Sequence, residues 1–97
     1  MSRTLEILEK LIAFPSVSVE SNLPIIAFIE AFLAGCGAVT HRLSDETGQK
    51  AGLFARIGPA DGAGVMLSGH TDVVPVTGQD WSVDPFRLTA RGGRVYG

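Results

Sequence analysis

The residues of this chain whose types and spacing suit chemistry gather in one stretch, Val65-Met-Leu-Ser-Gly-His-Thr-Asp-Val-Val-Pro-Val76. The apolar run Val65-Met66-Leu67 predicts a strand that leads into Ser68-Gly69 and then His70-Thr71-Asp72. Side chains alternate along a strand, so His70 and Asp72 point one way and Thr71 the other. An imidazole then stands beside a carboxylate at the end of a buried strand, where α/β proteins collect ligands. That pairing suits a metal-binding histidine whose ring is held by a neighbouring acid. Gly69 lets another group approach the backbone closely, and Val73-Val74-Pro75 fixes the exit. His70 is therefore the candidate metal ligand, and Asp72 is the candidate catalytic acid that orients it.

His-x-Asp alone is a weak pattern, so the other polar residues serve as controls. His41 falls among apolar neighbours with no acid two residues away and reads as structural or surface. Asp45, Glu46 and Asp61 fall in polar loops and read as solvated. Asp80 and Asp84 flank a tryptophan loop and suit turn capping as well as binding. Cys36, between Gly35 and Gly37, reads as a small buried or half-buried residue. One histidine and one acid cannot hold a catalytic zinc, which takes about three protein ligands and an open position. Two-metal hydrolases need more, including a group that bridges the ions.

The elements that must position the pair are legible from periodicity. Leu5, Leu8, Leu11 and Ile12 recur at helical spacing over residues 3–13, and Pro15 stops that helix. Ser16-Val17-Ser18 is a short connector. A second, broadly apolar helix is expected from Asn22 or Leu23 to Ala34, capped by Ser21 or Asn22, with Pro24 in its first turn and Gly35 and Gly37 at its exit. From Val39 the period becomes two. Val39–Leu43 and Leu53–Ile57 read as strands around the polar loop Ser44–Gly48. Gly58–Gly64 is dense in turn residues, and Leu88–Tyr96 reads as a hairpin about Gly92-Gly93. Helix, helix, then strands is an α/β layer, not an all-α bundle.

Ninety-seven residues allow one small domain at most. Hydrophobic residues make up 45% and charged residues 19%, which excludes a disordered chain. That is greasy for the length, so part of the apolar surface is expected to pack against further protein. The net charge of −2 leaves no electrostatic footprint for nucleic acid or an anionic membrane. Arg87, Arg91 and Arg94 form the nearest approach to a basic cluster and read as solvated surface. A single cysteine permits no internal disulfide. Glu6 and Glu9 interrupt what a signal peptide would need as an apolar core, so a cytoplasmic setting is expected.

Ser68-Gly-His-Thr-Asp-Val-Val-Pro-Val76, with Gly78-Gln79, Trp81, Asp84-Pro85-Phe86, Leu88-Thr89 and Gly93-Arg94-Val95-Tyr96-Gly97, resembles the co-catalytic zinc amidohydrolase and peptidase family. Leu11-Ile-Ala-Phe-Pro-Ser-Val-Ser18 and Lys50-Ala-Gly-Leu-Phe-Ala-Arg-Ile-Gly-Pro59 extend the resemblance to nearly the whole chain. The family includes acetylornithine deacetylase, succinyl-diaminopimelate desuccinylase, aminoacylases and carboxypeptidases. The Pro75–Phe86 run and Ala13–Ser18 fit the acetylornithine deacetylase branch best. Gly52 departs from the family, which has asparagine in that Lys-Ala-Asn-Leu pattern.

The resemblance implies the N-terminal portion of a three-layer α/β/α zinc-peptidase-like catalytic domain, two helices followed by strands of a mixed sheet. Residues 1–97 would be an incomplete segment of it, without the lid or dimerisation domain. It implies two zinc ions, with cobalt an alternative, one of them ligated by His70 with Asp72 orienting the ring. A bridging aspartate, a Glu-Glu pair carrying the general base, and the remaining ligands would lie beyond the segment. The implied parent activity is hydrolysis of N-acetylornithine to ornithine and acetate, in arginine biosynthesis, by a homodimer acting on a small N-acyl amino acid. The 97 residues by themselves are expected to be inactive. The alternatives are a desuccinylase or metallocarboxypeptidase of the same family, or a non-catalytic module.

Overall fold

The computed structural model describes residues 2–97. Helix α1 spans Arg3–Ile12 and opens on Ser2, whose side chain accepts the Leu5 N–H at 3.3 Å, relieving one of the donors a helix start leaves unpaired. Helix α2 spans Leu23–Gly35, with Pro24 in its first turn, where a missing N–H costs nothing. Gly37, at φ +90°, turns the chain out of α2 and into β1 (Val39–Ser44), which pairs antiparallel with β2 (Ala51–Arg56). A second antiparallel pair, β3 (Thr89–Arg91) with β4 (Arg94–Tyr96), closes the chain. Its two-residue turn, Gly92-Gly93, has positive φ at both positions, as a tight hairpin requires.

The architecture is mixed α/β: two helices and short antiparallel strands in two separate two-stranded sheets. The centre of packing is where α2 lies on β2. Ile25, Ile26 and Ala51 are buried there, flanked by Leu11, Phe14, Leu23, Ile29 and Leu53. The Phe14 and Phe28 rings meet at 5.5 Å between centroids, tying the exit of α1 to α2. Glu30 on α2 accepts from Arg42 Nε at 2.9 Å and from the Thr40 hydroxyl at 3.2 Å, fixing β1 under the same helix. Gly52 is not required by space: a Cβ there would meet Leu43 Cβ at an ordinary 3.9 Å.

Two expectations change. Val65-Met66-Leu67 is not a buried strand; these residues pair with no strand and are 90%, 75% and 93% exposed. A buried strand needs neighbours for its peptide groups and cover for its faces, whereas among the described residues β1 and β2 pair only with each other. Cys36 is exposed, because the chain leaves α2 at that point and carries the thiol away from the packed face. Both features belong to an open molecule. The accessible surface is 7249 Å², against roughly 5,300 Å² for a typical folded monomer of this mass. The radius of gyration is 15.7 Å, against about 12.5 Å for a close-packed chain of this length.

Candidate functional site

The loop that carries His70 and Asp72 is held by the connector between the two helices. Val17 forms a parallel bridge with Val73. The Val73 N–H donates to the Ser16 carbonyl at 3.0 Å, and the Ser18 N–H donates to the Val73 carbonyl at 3.0 Å. Ser16, which is buried, donates its hydroxyl to the Thr71 carbonyl at 2.6 Å. Pro15 ends α1 ahead of these residues, and both serine hydroxyls reach the loop, Ser16 at Thr71 and Ser18 at Asp72. Hydropathy and turn chemistry mark this segment only as a connector; its Ser-x-Ser spacing is the one sequence signal for its role.

The connector is itself anchored to the start of β2. Ser21 donates its hydroxyl to the Gln49 carbonyl at 2.7 Å. The Asn22 side chain donates to the Ala51 carbonyl at 2.8 Å and accepts the Ala51 N–H at 2.9 Å. Lys50 Nζ donates to the Ser18 carbonyl. Asn22 therefore does not cap α2 through its side chain; Ser21 takes part of that duty, accepting the Leu23 N–H at 3.3 Å.

His70 and Asp72 come together as the sequence predicts, though on an exposed loop and not at the end of a buried strand. His70 Nδ1 lies 2.9 Å from Asp72 Oδ1 and 3.1 Å from the Asp72 carbonyl oxygen. Both of those atoms can only accept, so the neutral ring carries its proton on Nδ1 and leaves the Nε2 lone pair free. The His70 side chain is 83% exposed. Hydrogen bonds from the Ser18 hydroxyl, at 3.0 Å to Oδ2, and from the His70 ring hold the Asp72 carboxyl below its ordinary value of 3.8. The acid therefore stays charged and keeps the ring proton on Nδ1, so the other ring nitrogen is free to bind a ligand.

The pair stands on an open surface. A groove of about 570 Å³, lined by Phe14, Val17, Ile25, Pro75 and Phe86 among others, does not include it. Among the described residues, no three His, Cys, Asp or Glu side chains gather as a metal ion would require. The donor chemistry of His70 would suit one ligand of a zinc ion. His41 is exposed on β1, and Asp84 Oδ1 accepts the Phe86 N–H at 2.9 Å as a turn cap. Asp45 accepts from the Thr47 hydroxyl and the Lys50 N–H across the β1–β2 turn. Arg91 lies over the Tyr96 ring at 5.2 Å as part of the β3–β4 surface.

No family model matches the chain, and no solved structure does. Curated proteins do match. The chain is 36% identical to an acetylornithine deacetylase of Proteus mirabilis and 35% identical to one of Pasteurella multocida. It is 36% identical to one of Photorhabdus laumondii. Each match covers 96% of this chain and 26% of the relative. The chain thus spans about a quarter of the length of the curated relatives it matches, and nearly all of it lies within the matched stretch.

Proposed function

From this kinship with the acetylornithine deacetylases, we propose that residues 1–97 form one corner of a metal-dependent amidohydrolase active site. The reaction is hydrolysis of N-acetylornithine to ornithine and acetate, a step of arginine biosynthesis in the cytoplasm. The observation that carries the reading is the similarity to these deacetylases over 96% of the chain. The His70–Asp72 geometry supports it. His70 offers an unencumbered Nε2, and Asp72 holds the Nδ1 proton so that the ring presents that lone pair outward. A bound zinc or cobalt ion would polarise the amide carbonyl and lower the pKa of bound water. The remaining ligands and the proton-transferring base must come from other residues, since one imidazole does not complete a zinc site. In the same proposal the working enzyme is a two-zinc homodimer, and neither nucleic acid nor a membrane is a partner. Among the described residues no helix is long and apolar enough to cross a membrane.

The test is a hybrid in which residues 1–97 replace the matched stretch of the Proteus mirabilis acetylornithine deacetylase. With zinc or cobalt it should release acetate from N-acetylornithine. His70→Ala should abolish turnover, and Asp72→Ala should lower it by about 10–100-fold, the usual cost of losing a residue that orients a ligand. A His70→Ala hybrid as active as its parent would refute the assignment. The 97-residue chain alone should show no turnover above a metal-only blank.

A further inference from the structure

His70 has its ring fixed by Asp72, but what fixes Asp72 is a separate question. The Asp72 side chain is itself largely in solvent, and an exposed carboxylate with one oxygen engaged can still swing about its side-chain torsions. Here the second oxygen is engaged as well: Oδ2 takes the Ser18 hydroxyl at 3.0 Å while Oδ1 takes the His70 ring. The Ser18 hydroxyl also lies 3.1 Å from the Val73 carbonyl, but it has one proton, and the charged carboxylate is the stronger acceptor.

Ser18 is itself held against the loop it serves. Its N–H is bonded to the Val73 carbonyl, its neighbour Val17 bridges Val73, and its carbonyl accepts from Lys50. The hydroxyl is therefore presented from backbone already locked to the chain that carries Asp72. We infer that Ser18 is a positioning residue: it clamps the free oxygen of Asp72 so that His70 is held with its proton on Nδ1 and Nε2 aimed outward. The usefulness of that orientation rests on the hydrolase reading; the clamp itself does not.

The test uses the chain without metal or substrate, so its failure and that of the hydrolase reading are separable. The ring nitrogens of ¹⁵N-histidine-labelled protein report the tautomer of His70 at a pH where the ring is neutral. The parent chain should show a pyrrole-type Nδ1 and a pyridine-type Nε2. Ser18→Ala should cut the Nδ1–H to Nε2–H ratio by about fivefold, the effect of one exposed hydrogen bond to a charged group. The Asp72 carbonyl remains as a second acceptor, so the preference weakens without reversing. Ser18→Thr, which keeps the hydroxyl, should restore the ratio. An unchanged tautomer in Ser18→Ala overturns the inference, as does failure of Ser18→Thr to restore it. Collapse of the β1–β2 amide dispersion in Ser18→Ala also overturns it, because the serine would then be holding the fold and not the acid.

Discussion

Replacing Asn22 by alanine should destabilise the chain by about 2 kcal/mol, and the structure says why. Asn22 uses both ends of its amide on one residue, donating to the Ala51 carbonyl at 2.8 Å and accepting the Ala51 N–H at 2.9 Å. In an antiparallel pair the N–H and C=O of one residue point to the same side. Ala51 stands opposite Ser44 in the register, yet its peptide groups go to Asn22, so they face away from β1. The Asn22 side chain thus acts as a one-residue stand-in for a third strand. Each hydrogen bond contributes about 1 kcal/mol net, and a buried group left unpaired costs about 1–3 kcal/mol; Ala51 is buried. Urea unfolding followed by circular dichroism measures the total, and hydrogen exchange at the Ala51 amide measures the local loss. Asn22→Asp is the sharper probe. At neutral pH it still accepts from the Ala51 N–H but turns a carboxylate oxygen toward the Ala51 carbonyl. It should therefore be no better than alanine at pH 7 and should recover as the acid protonates and becomes a donor. An Asn22→Ala chain within about 0.5 kcal/mol of its parent, with Ala51 protection unchanged, would refute the reasoning.

Two further outcomes follow from other parts of the molecule. Ile26 is 3% exposed and belongs to a core that, among the described residues, has three buried apolar members, so Ile26→Ala should cost about 2–4 kcal/mol. For so open a chain that is enough to remove the cooperative transition in a urea titration; a transition that survives unshifted would place the stabilising core elsewhere. Asp45 supplies the pH dependence. Partial desolvation raises its pKa, but the Thr47 hydroxyl and the backbone N–H groups of Lys50, Gly48 and Gln49 together outweigh that and hold it below 3.8. A depressed carboxyl stabilises the fold fully above its unfolded value and loses that contribution as pH falls through the folded value. The β1–β2 turn should therefore loosen below pH 3.8, seen as faster Lys50 amide exchange than the Asp45→Asn chain shows relative to neutral pH. Identical acid behaviour of the two chains would count against it.

What could be read from the sequence divides along the range of the interactions involved. The helices, the Gly92-Gly93 hairpin and the His70–Asp72 pair were legible because each depends on residues within a turn or two of one another. Alternation alone brings His70 and Asp72 to one side, and that holds whether the backbone is a strand or an extended loop. The supports of the pair were not legible, because Ser16, Ser18 and Asn22 act on residues 55, 54 and 29 positions away. Asn22 illustrates the ambiguity: its position before an apolar helix is equally good for an N-cap, and only the arrival of Ala51 decides the use of its amide. Val65-Met66-Leu67 shows the converse limit. An apolar run states a preference for burial, but burial needs a partner surface, and among the described residues none covers this run. The consequence reaches the site directly. His70 is held well in orientation and poorly in seclusion, so the hydrogen bonds from the connector, and not a surrounding cavity, fix the ring here. Orientation comes from Asp72 and its backing; under the proposed hydrolase function, the low-dielectric enclosure that strengthens active-site electrostatics would have to come from protein packed against the exposed run beside it.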